Sequence, residues 1–111
     1  MNNRLDKMNE EIVKALSEIF RDEIKDPRID GMITVADAKI TNDLSHCTIY
    51  LSIYNSKDKK SCFQTICKCS GFIRKKLAEK VDIRIMPELH FKLDETLDYV
   101  DKMNEIFKTI E

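Results

Sequence analysis

The chain has 111 residues, 42% of them hydrophobic and 35% charged, with a formal net charge of −1. This length and balance indicate one globular domain, 1–111, large enough to bury a single core. No apolar run approaches the roughly 20 residues of a membrane span, and the first residues lack a signal-peptide pattern. We therefore expect a cytoplasmic protein that does not associate with a membrane.

The N-terminal half predicts a helix followed by a hairpin. Apolar residues recur every three or four positions from about Asn3 to Lys25, as on one face of an amphipathic helix. Pro27 ends this helix, because the residue before a proline is driven out of the α region. Two runs rich in β-branched residues follow, Met32–Ile40 and Cys47–Tyr54, with turn residues between them. They predict an antiparallel hairpin.

A bent helix is predicted next. Helical periodicity begins near Ser61, is interrupted at Ser70-Gly71 and resumes as far as Val81. Glycine weakens a helix interior, and Gly/Ser pairs are a known cause of kinks. Two helical pieces joined at a bend are therefore expected.

The chain continues with a third strand and a last helix. Residues 83–93 alternate apolar and polar, and Pro87, which lacks an N–H, places this strand at an edge or a bulge. An apolar stripe over 97–110 predicts the final helix. The order predicts an α+β domain, a three-stranded sheet with helices covering one face. No Gly-rich phosphate loop is present, which argues against dinucleotide and P-loop folds.

Positive charge is concentrated around the bend. From Lys57 to Arg84 nine Lys/Arg stand against three Asp/Glu, a local charge of +6, while the rest of the chain carries −7. Such an asymmetry is typical of a surface that meets a polyanion. Because successive helix residues lie 100° apart, some of these charges must only be solvated. The candidate phosphate-facing residues are Lys68, Arg74, Lys75, Lys76, Lys80 and Arg84.

Two further residues at the bend have open alternatives. Gly71 permits close approach of a backbone or an anion at a helix start, or serves only for bending; we favour both roles together. Phe72 could stack on an unpaired base, but packing against the core or the neighbouring helix is favoured. Tyr50 and Tyr54 share one strand face and are left out of the site, because that face is not determined.

The cysteines and histidines indicate no metal or redox site. Cys62, Cys67 and Cys69 do not have the paired spacing of zinc ligands, so all four cysteines are expected to be free thiols. His46 and His90 are far apart in the sequence and are interpreted as strand-edge side chains rather than ligands. We therefore expect no cofactor, no metal and no catalytic residues.

Four motifs in order resemble the ribosome-binding factor A family over nearly the whole chain. They are Asp26-Pro27-Arg28, Asn42-Asp43-Leu44, Ser70-Gly71-Phe72-Ile73-Arg74, and Pro87-Glu88-Leu89-His90-Phe91 with Asp94. The resemblance implies a type II KH-like fold in which a helix–kink–helix with an Ala-x-Gly pattern replaces the Gly-x-x-Gly loop. Here that pattern falls on Cys69-Ser70-Gly71, with Cys in place of Ala.

The resemblance also implies a function. It implies a non-catalytic assembly factor that binds 16S rRNA and the free 30S subunit, assists late 30S maturation and 5′-end processing of 16S rRNA, and supports growth in the cold. No small-molecule substrate is implied, and nothing in the sequence demands more than a monomer. The expected RNA-binding residues are Lys68, Ser70, Gly71, Arg74, Lys75, Lys76, Lys80 and Arg84.

The sequence leaves two other functions open. Some family members carry a basic tail, whereas this chain ends in a predicted acidic helix, so binding is expected to depend more on the bent helix. A KH-like protein-interaction module, with that acidic helix docking a partner, is one alternative. A generic RNA binder is the other, and a thiol-dependent or metal enzyme is the least favoured interpretation.

Overall fold

The computed structural model describes residues 3–94, and the helix predicted at 97–110 lies outside them. The described elements follow the predicted order. They are α1 (Asn3–Asp22), β1 (Met32–Ile40), β2 (His46–Tyr54), α2 (Lys59–Lys68), α3 (Ser70–Lys80) and β3 (Glu88–Leu93). None of the helices in this part of the chain has the length and apolar character needed to cross a bilayer.

Helix α1 presents one apolar face to the sheet. Its buried side chains recur at helical spacing and are Ile12, Ala15, Leu16, Ile19 and Phe20. The helix ends at Asp22, three residues earlier than predicted. The N–H groups of Glu23 and Ile24 both donate to the carbonyl oxygen of Ile19, at 2.8 and 3.1 Å, so the regular bonding pattern stops at Ile24.

The sheet is mixed and has the order β1-β2-β3. Strands β1 and β2 are antiparallel, which confirms the predicted hairpin, and β2 pairs with β3 in parallel. The register shifts between Val35 and Asp37, which pair with Leu51 and Tyr50, so Ala36 is the extra residue of a bulge.

Asp43 organises the turn between β1 and β2. Its Oδ1 accepts hydrogen bonds from the hydroxyl groups of Thr41 and Ser45, both at 2.7 Å, and from the Ser45 N–H at 3.2 Å. These donors hold the pKa of the Asp43 carboxyl at about 2, with the Thr41 hydroxyl contributing most. Leu44 completes the turn with a φ of 63°, an uncommon conformation for a leucine.

The core lies between the helices and one face of the sheet. Along β2 the residues Cys47, Ile49, Leu51 and Ile53 are buried, and those between them are exposed or half-buried. Helices α2 and α3 add their own buried side chains, which are Cys62, Thr65, Ile66, Ile73 and Leu77. The α+β architecture with one covered face is confirmed.

Strand β3 is shorter than the sequence predicted. It begins at Glu88 rather than Ile83, although the apolar–polar alternation runs through both segments. Pro87, which cannot donate to a ladder, stands directly before the strand and is buried. As expected, β3 is at an edge of the described sheet, where it pairs with β2 alone.

Candidate nucleic-acid interface

The bend between α2 and α3 is made by Cys69. Its φ and ψ of −89° and 7° leave the helical range, and its N–H is shared between the carbonyl oxygens of Thr65 and Ile66, at 3.1 and 3.0 Å. The Ile73 N–H then donates to the Cys69 oxygen at 2.9 Å and starts α3. The helix–kink–helix is confirmed, with its break one residue before Ser70.

Gly71 lies in the first turn of α3, beside the bend. A Cβ atom added there would meet nothing within 4 Å, and no left-handed backbone conformation requires a glycine. Bending alone therefore does not explain the residue, since Cys69 makes the bend. The open space leaves the exposed backbone of the first turn accessible to a ligand.

Arg74 is committed to its own fold. Its Nη2 donates to the carbonyl oxygen of Met86 at 2.7 Å, and its Nε donates to that of Pro87 at 3.1 Å. The guanidinium thereby fixes the segment that leads into β3. These bonds use two of the five guanidinium N–H groups, and the side chain remains exposed, so the contact of Arg74 with a phosphate stays a prediction.

Two lysines of α3 face α1. Lys76 Nζ lies 3.9 Å from Glu23 Oε2 and 3.8 Å from Glu79 Oε2, and Lys80 Nζ lies 3.6 Å from Glu18 Oε2. Their side chains are 29% and 31% exposed. We call Arg74, Lys76 and Lys80 the anchored residues, because each of them contacts a carbonyl or carboxylate oxygen of the same protein.

Lys68 and Lys75 remain available. Both are exposed, and within residues 3–94 their side chains make no ion pair or hydrogen bond. Lys68 is the last residue of α2. Lys75 follows Gly71 by four positions, so the two residues lie on the same side of α3. Half-buried Ser70 lies between the two lysines along the chain.

Arg84 is separated from this group. It follows α3 and lines a groove with Arg4 and Lys7 at the start of α1 and with Asp43 of the hairpin turn. The bend lies at the other end of α3, near the C-terminal end of α1, where Lys76 meets Glu23. The structure therefore does not place all eight predicted residues on one surface.

Arg28 and Phe72 were missing from the predicted site. Both line a shallow groove with Pro27 and Cys69 at the bend. Arg28 is 67% exposed and is held by Asp26, whose Oδ2 lies 2.9 Å from its Nη2. The Asp26 carboxylate raises the pKa of Arg28 by hydrogen bonding, and the same bond lowers the pKa of Asp26. The sequence motif Asp26-Pro27-Arg28 already contains Arg28, and this motif could have indicated the residue as part of the site.

Phe72 differs from the prediction. Core or inter-helix packing was favoured, but 45% of the side chain is exposed. The Nζ of Lys76 lies 5.7 Å from its ring centroid, which orients the ring from one side. We call the group Arg28, Lys68, Phe72 and Lys75 the bend surface. It combines exposed cations with an exposed aromatic ring, as nucleic-acid-binding surfaces do.

The remaining candidates lie elsewhere. Tyr54 is 63% exposed on the face of β2 opposite the core, and Lys39 lies over the Tyr50 ring at 5.7 Å. All four cysteines are free thiols, as expected. Burial raises the pKa of Cys47 to about 11.

The histidines are brought together, which the sequence did not reveal. His46 Nδ1 and His90 Nε2 are 2.9 Å apart, with Glu88 beside them. Both histidines lie on strands, and the parallel pairing of β2 with β3 brings together these two side chains, which are separated by 44 positions in the sequence.

A KH-like α+β domain with a helix–kink–helix is the class that this fold defines. Three solved or fitted structures share it. The crystal structure of ribosome-binding factor A from Thermus thermophilus superposes with a TM-score of 0.71 at 20% identity, covering 80% of this chain and 93% of that one. The solution structure of a Thermotoga maritima protein described as a putative ribosome binding factor A gives 0.70 at 24% identity, covering 83% and 90%.

The third is a Thermus thermophilus ribosome binding factor A model fitted into a map of a 30S complex of that protein. It gives a TM-score of 0.66 at 21% identity and covers 78% of this chain and 90% of that one. These likenesses concern the fold.

Sequence comparison identifies the family. The family model described as ribosome-binding factor A matches residues 4–107. The relative from Clostridium botulinum (strain Eklund 17B) is 38% identical, with 99% of this chain and 97% of that protein covered. The relative from Staphylococcus saprophyticus is 37% identical, with 99% and 96% covered. The chain belongs to the ribosome-binding factor A family.

Proposed function

We propose that this protein is a non-catalytic assembly factor that binds the free small ribosomal subunit through 16S rRNA. The observation that carries the proposal is the family match over residues 4–107. The fitted relative, which was interpreted in a map of a 30S complex, supports the same partner for this chain. Late 30S maturation, with 5′-end processing of 16S rRNA, is the step at which we propose that it acts.

The bend surface is the proposed rRNA contact. Lys68 and Lys75 supply cations without partners among the described residues, and the side chain of Arg28 remains 67% exposed despite its bidentate contact with Asp26. Cations of this kind neutralise phosphates and release counterions, which fixes orientation on the RNA rather than sequence choice. Phe72 adds a ring face for one unpaired base.

The mechanism needs no chemical step. A factor that binds one conformation of rRNA better than another shifts the population toward it by the difference in affinity. An immature subunit held in this way has time to complete its folding, an effect expected to matter most in the cold, when misfolded RNA rearranges slowly. We propose that the protein acts as a monomer, which light scattering on the purified chain tests directly.

Co-sedimentation tests the partner. The full-length protein is centrifuged with free 30S subunits and with assembled ribosomes at low and moderate salt. Binding to free 30S alone that weakens with salt is the expected result. Equal binding to both particles would indicate a generic RNA binder. Binding that resists both salt and RNase would indicate a protein-interaction module, and no binding would contradict the proposal.

A further inference from the structure

Three polar side chains meet where β2 and β3 begin. His46 is the first residue of β2 and pairs with Glu88, the first residue of β3, while His90 pairs with Thr48. A hydrogen bond of 2.9 Å from the Glu88 N–H to the Ser45 oxygen holds the two strand starts together. Side chains two residues apart on a strand project to the same face, so Glu88 and His90 lie beside each other.

The donor atoms of these side chains converge. His46 Nδ1 lies 2.9 Å from His90 Nε2 and 3.8 Å from Glu88 Oε2. One ligand atom from each residue fits within a separation of 4.8 Å, and this is the one such group among residues 3–94. All three side chains are exposed, and the imidazole rings are tilted by 38°. At this distance one ring nitrogen donates its N–H to the lone pair of the other, and the tautomers of His46 and His90 determine which of them is the donor.

We propose that His46, Glu88 and His90 form a binding site for a divalent transition-metal ion, with Zn²⁺ as the probe. The set of two imidazoles and one carboxylate matches the ligands that Zn²⁺ accepts in sites with an open position. Imidazole donors select such ions over Mg²⁺ or Ca²⁺, which prefer oxygen. The ion would lie between the two ring nitrogens, and the proton that joins them would move to the other nitrogen of its own ring, so that both ligating imidazoles are neutral.

The geometry needs only a small adjustment. Zinc–nitrogen bonds of about 2.0–2.1 Å at a tetrahedral angle place two ligating nitrogens roughly 3.3 Å apart. The present separation of 2.9 Å opens to that value by small rotations of exposed side chains. Water fills the remaining coordination position.

Such an ion would join β3, an edge strand, to β2. Binding to the folded state alone stabilises it in proportion to the logarithm of the metal concentration over the dissociation constant. At ten times that constant the melting temperature is expected to rise by about 5 °C or more. This effect is independent of ribosome binding, so the site can exist whether or not the proposed function holds.

The test must separate the histidines from the thiols, because exposed Cys67 and half-buried Cys69 are free and thiolates are also ligands for Zn²⁺. The full-length chain carrying Cys67→Ser and Cys69→Ser is titrated with Zn²⁺ by calorimetry. One ion per chain with a dissociation constant in the micromolar range is expected. His90→Gln is expected to weaken binding at least tenfold, whereas Glu10→Gln, an exposed carboxylate on α1, leaves it unchanged.

A spectroscopic readout keeps the proposal testable if a histidine variant folds poorly. The chain has two histidines, so its imidazole signals in an NMR spectrum belong to His46 and His90 alone. Zn²⁺ is expected to shift both sets together. Shifts of neither set, or binding that persists in His46→Gln and His90→Gln, would overturn the site and leave a hydrogen-bonded pair of rings.

Discussion

The basic side chains around α3 fall into two groups with different surroundings. The anchored residues, Arg74, Lys76 and Lys80, contact carbonyl oxygens and carboxylates of the same protein. Lys68 and Lys75 of the bend surface face solvent without such partners in residues 3–94. Both groups lie in the same positively charged part of the sequence, and we propose that the second group makes the contacts with phosphate. Local charge in a sequence therefore does not distinguish cations that have partners within the fold from cations that have none.

Replacing Arg74 should have the largest effect on stability. Arg74→Ala removes two charged hydrogen bonds to the segment before β3, and such bonds contribute about 1.5–3 kcal/mol each, not additively. Urea unfolding is expected to show a loss of about 2 kcal/mol, and Arg74→Lys recovers little because one ammonium does not reproduce the fork. A loss below about 0.5 kcal/mol would place Arg74 with the available cations instead.

Phe72 should affect binding more than folding. Stacking of a base on an aromatic ring is worth about 1–3 kcal/mol, so Phe72→Ala is expected to weaken 30S binding about tenfold. Ile85→Ala is the matched control, because Ile85 is an exposed apolar residue of the loop after α3. Equal loss in both variants would mean that exposed apolar area, rather than a ring at the bend, determines the affinity.

Lys76 and Lys80 should have small effects. Exposed ion pairs contribute about 0–1 kcal/mol, so Lys80→Ala is expected to change the free energy of unfolding by less than about 0.5 kcal/mol. Its affinity for 30S subunits should change by less than twofold. A loss comparable to that of a bend-surface lysine would show that Lys80 leaves Glu18 to contact RNA.

Asp43 provides the smallest and most local test of a charge used within the fold. Its folded pKa of about 2 lies below the unfolded value of 3.8, so its contribution to stability is present above pH 3.8 and is lost as the pH falls through 2. The difference in stability between wild type and Asp43→Asn should therefore shrink over that range. An NMR titration of the carboxyl with a midpoint near 3.8 would contradict the turn described here.

The fold could be predicted from the sequence wherever the pattern of apolar and polar residues corresponded directly to burial. Alternation in β2 followed from burial of Cys47, Ile49 and Leu51. The same alternation in residues 83–87 led to a predicted strand that begins too early. These residues lie outside the sheet, and Arg74 donates hydrogen bonds to the carbonyl oxygens of Met86 and Pro87. That contact joins residues more than ten positions apart, which local patterns do not record.

The candidate site was less predictable for the same reason. A count of lysines and arginines cannot show that Lys76 of α3 lies near Glu23, just after α1, or that Arg84 lies near Arg4. The contact of His46 with His90 likewise depends on the direction of β3, which the sequence left open. The bend itself was predictable, since it followed from an interruption in helical periodicity.

The most direct test of the account compares two charge-matched variants in 30S binding. Lys68→Glu/Lys75→Glu reverses two bend-surface charges, and Lys60→Glu/Lys92→Glu reverses two exposed lysines elsewhere. The first variant is expected to weaken affinity for 30S subunits at moderate salt by about tenfold or more, with an unchanged melting temperature. The slope of log binding constant against log salt concentration should become shallower by about 1.5, because two phosphate contacts are lost. The second should retain most of the affinity. Equal weakening by both pairs, or none by the first in folded protein, would contradict the bend surface as the RNA contact.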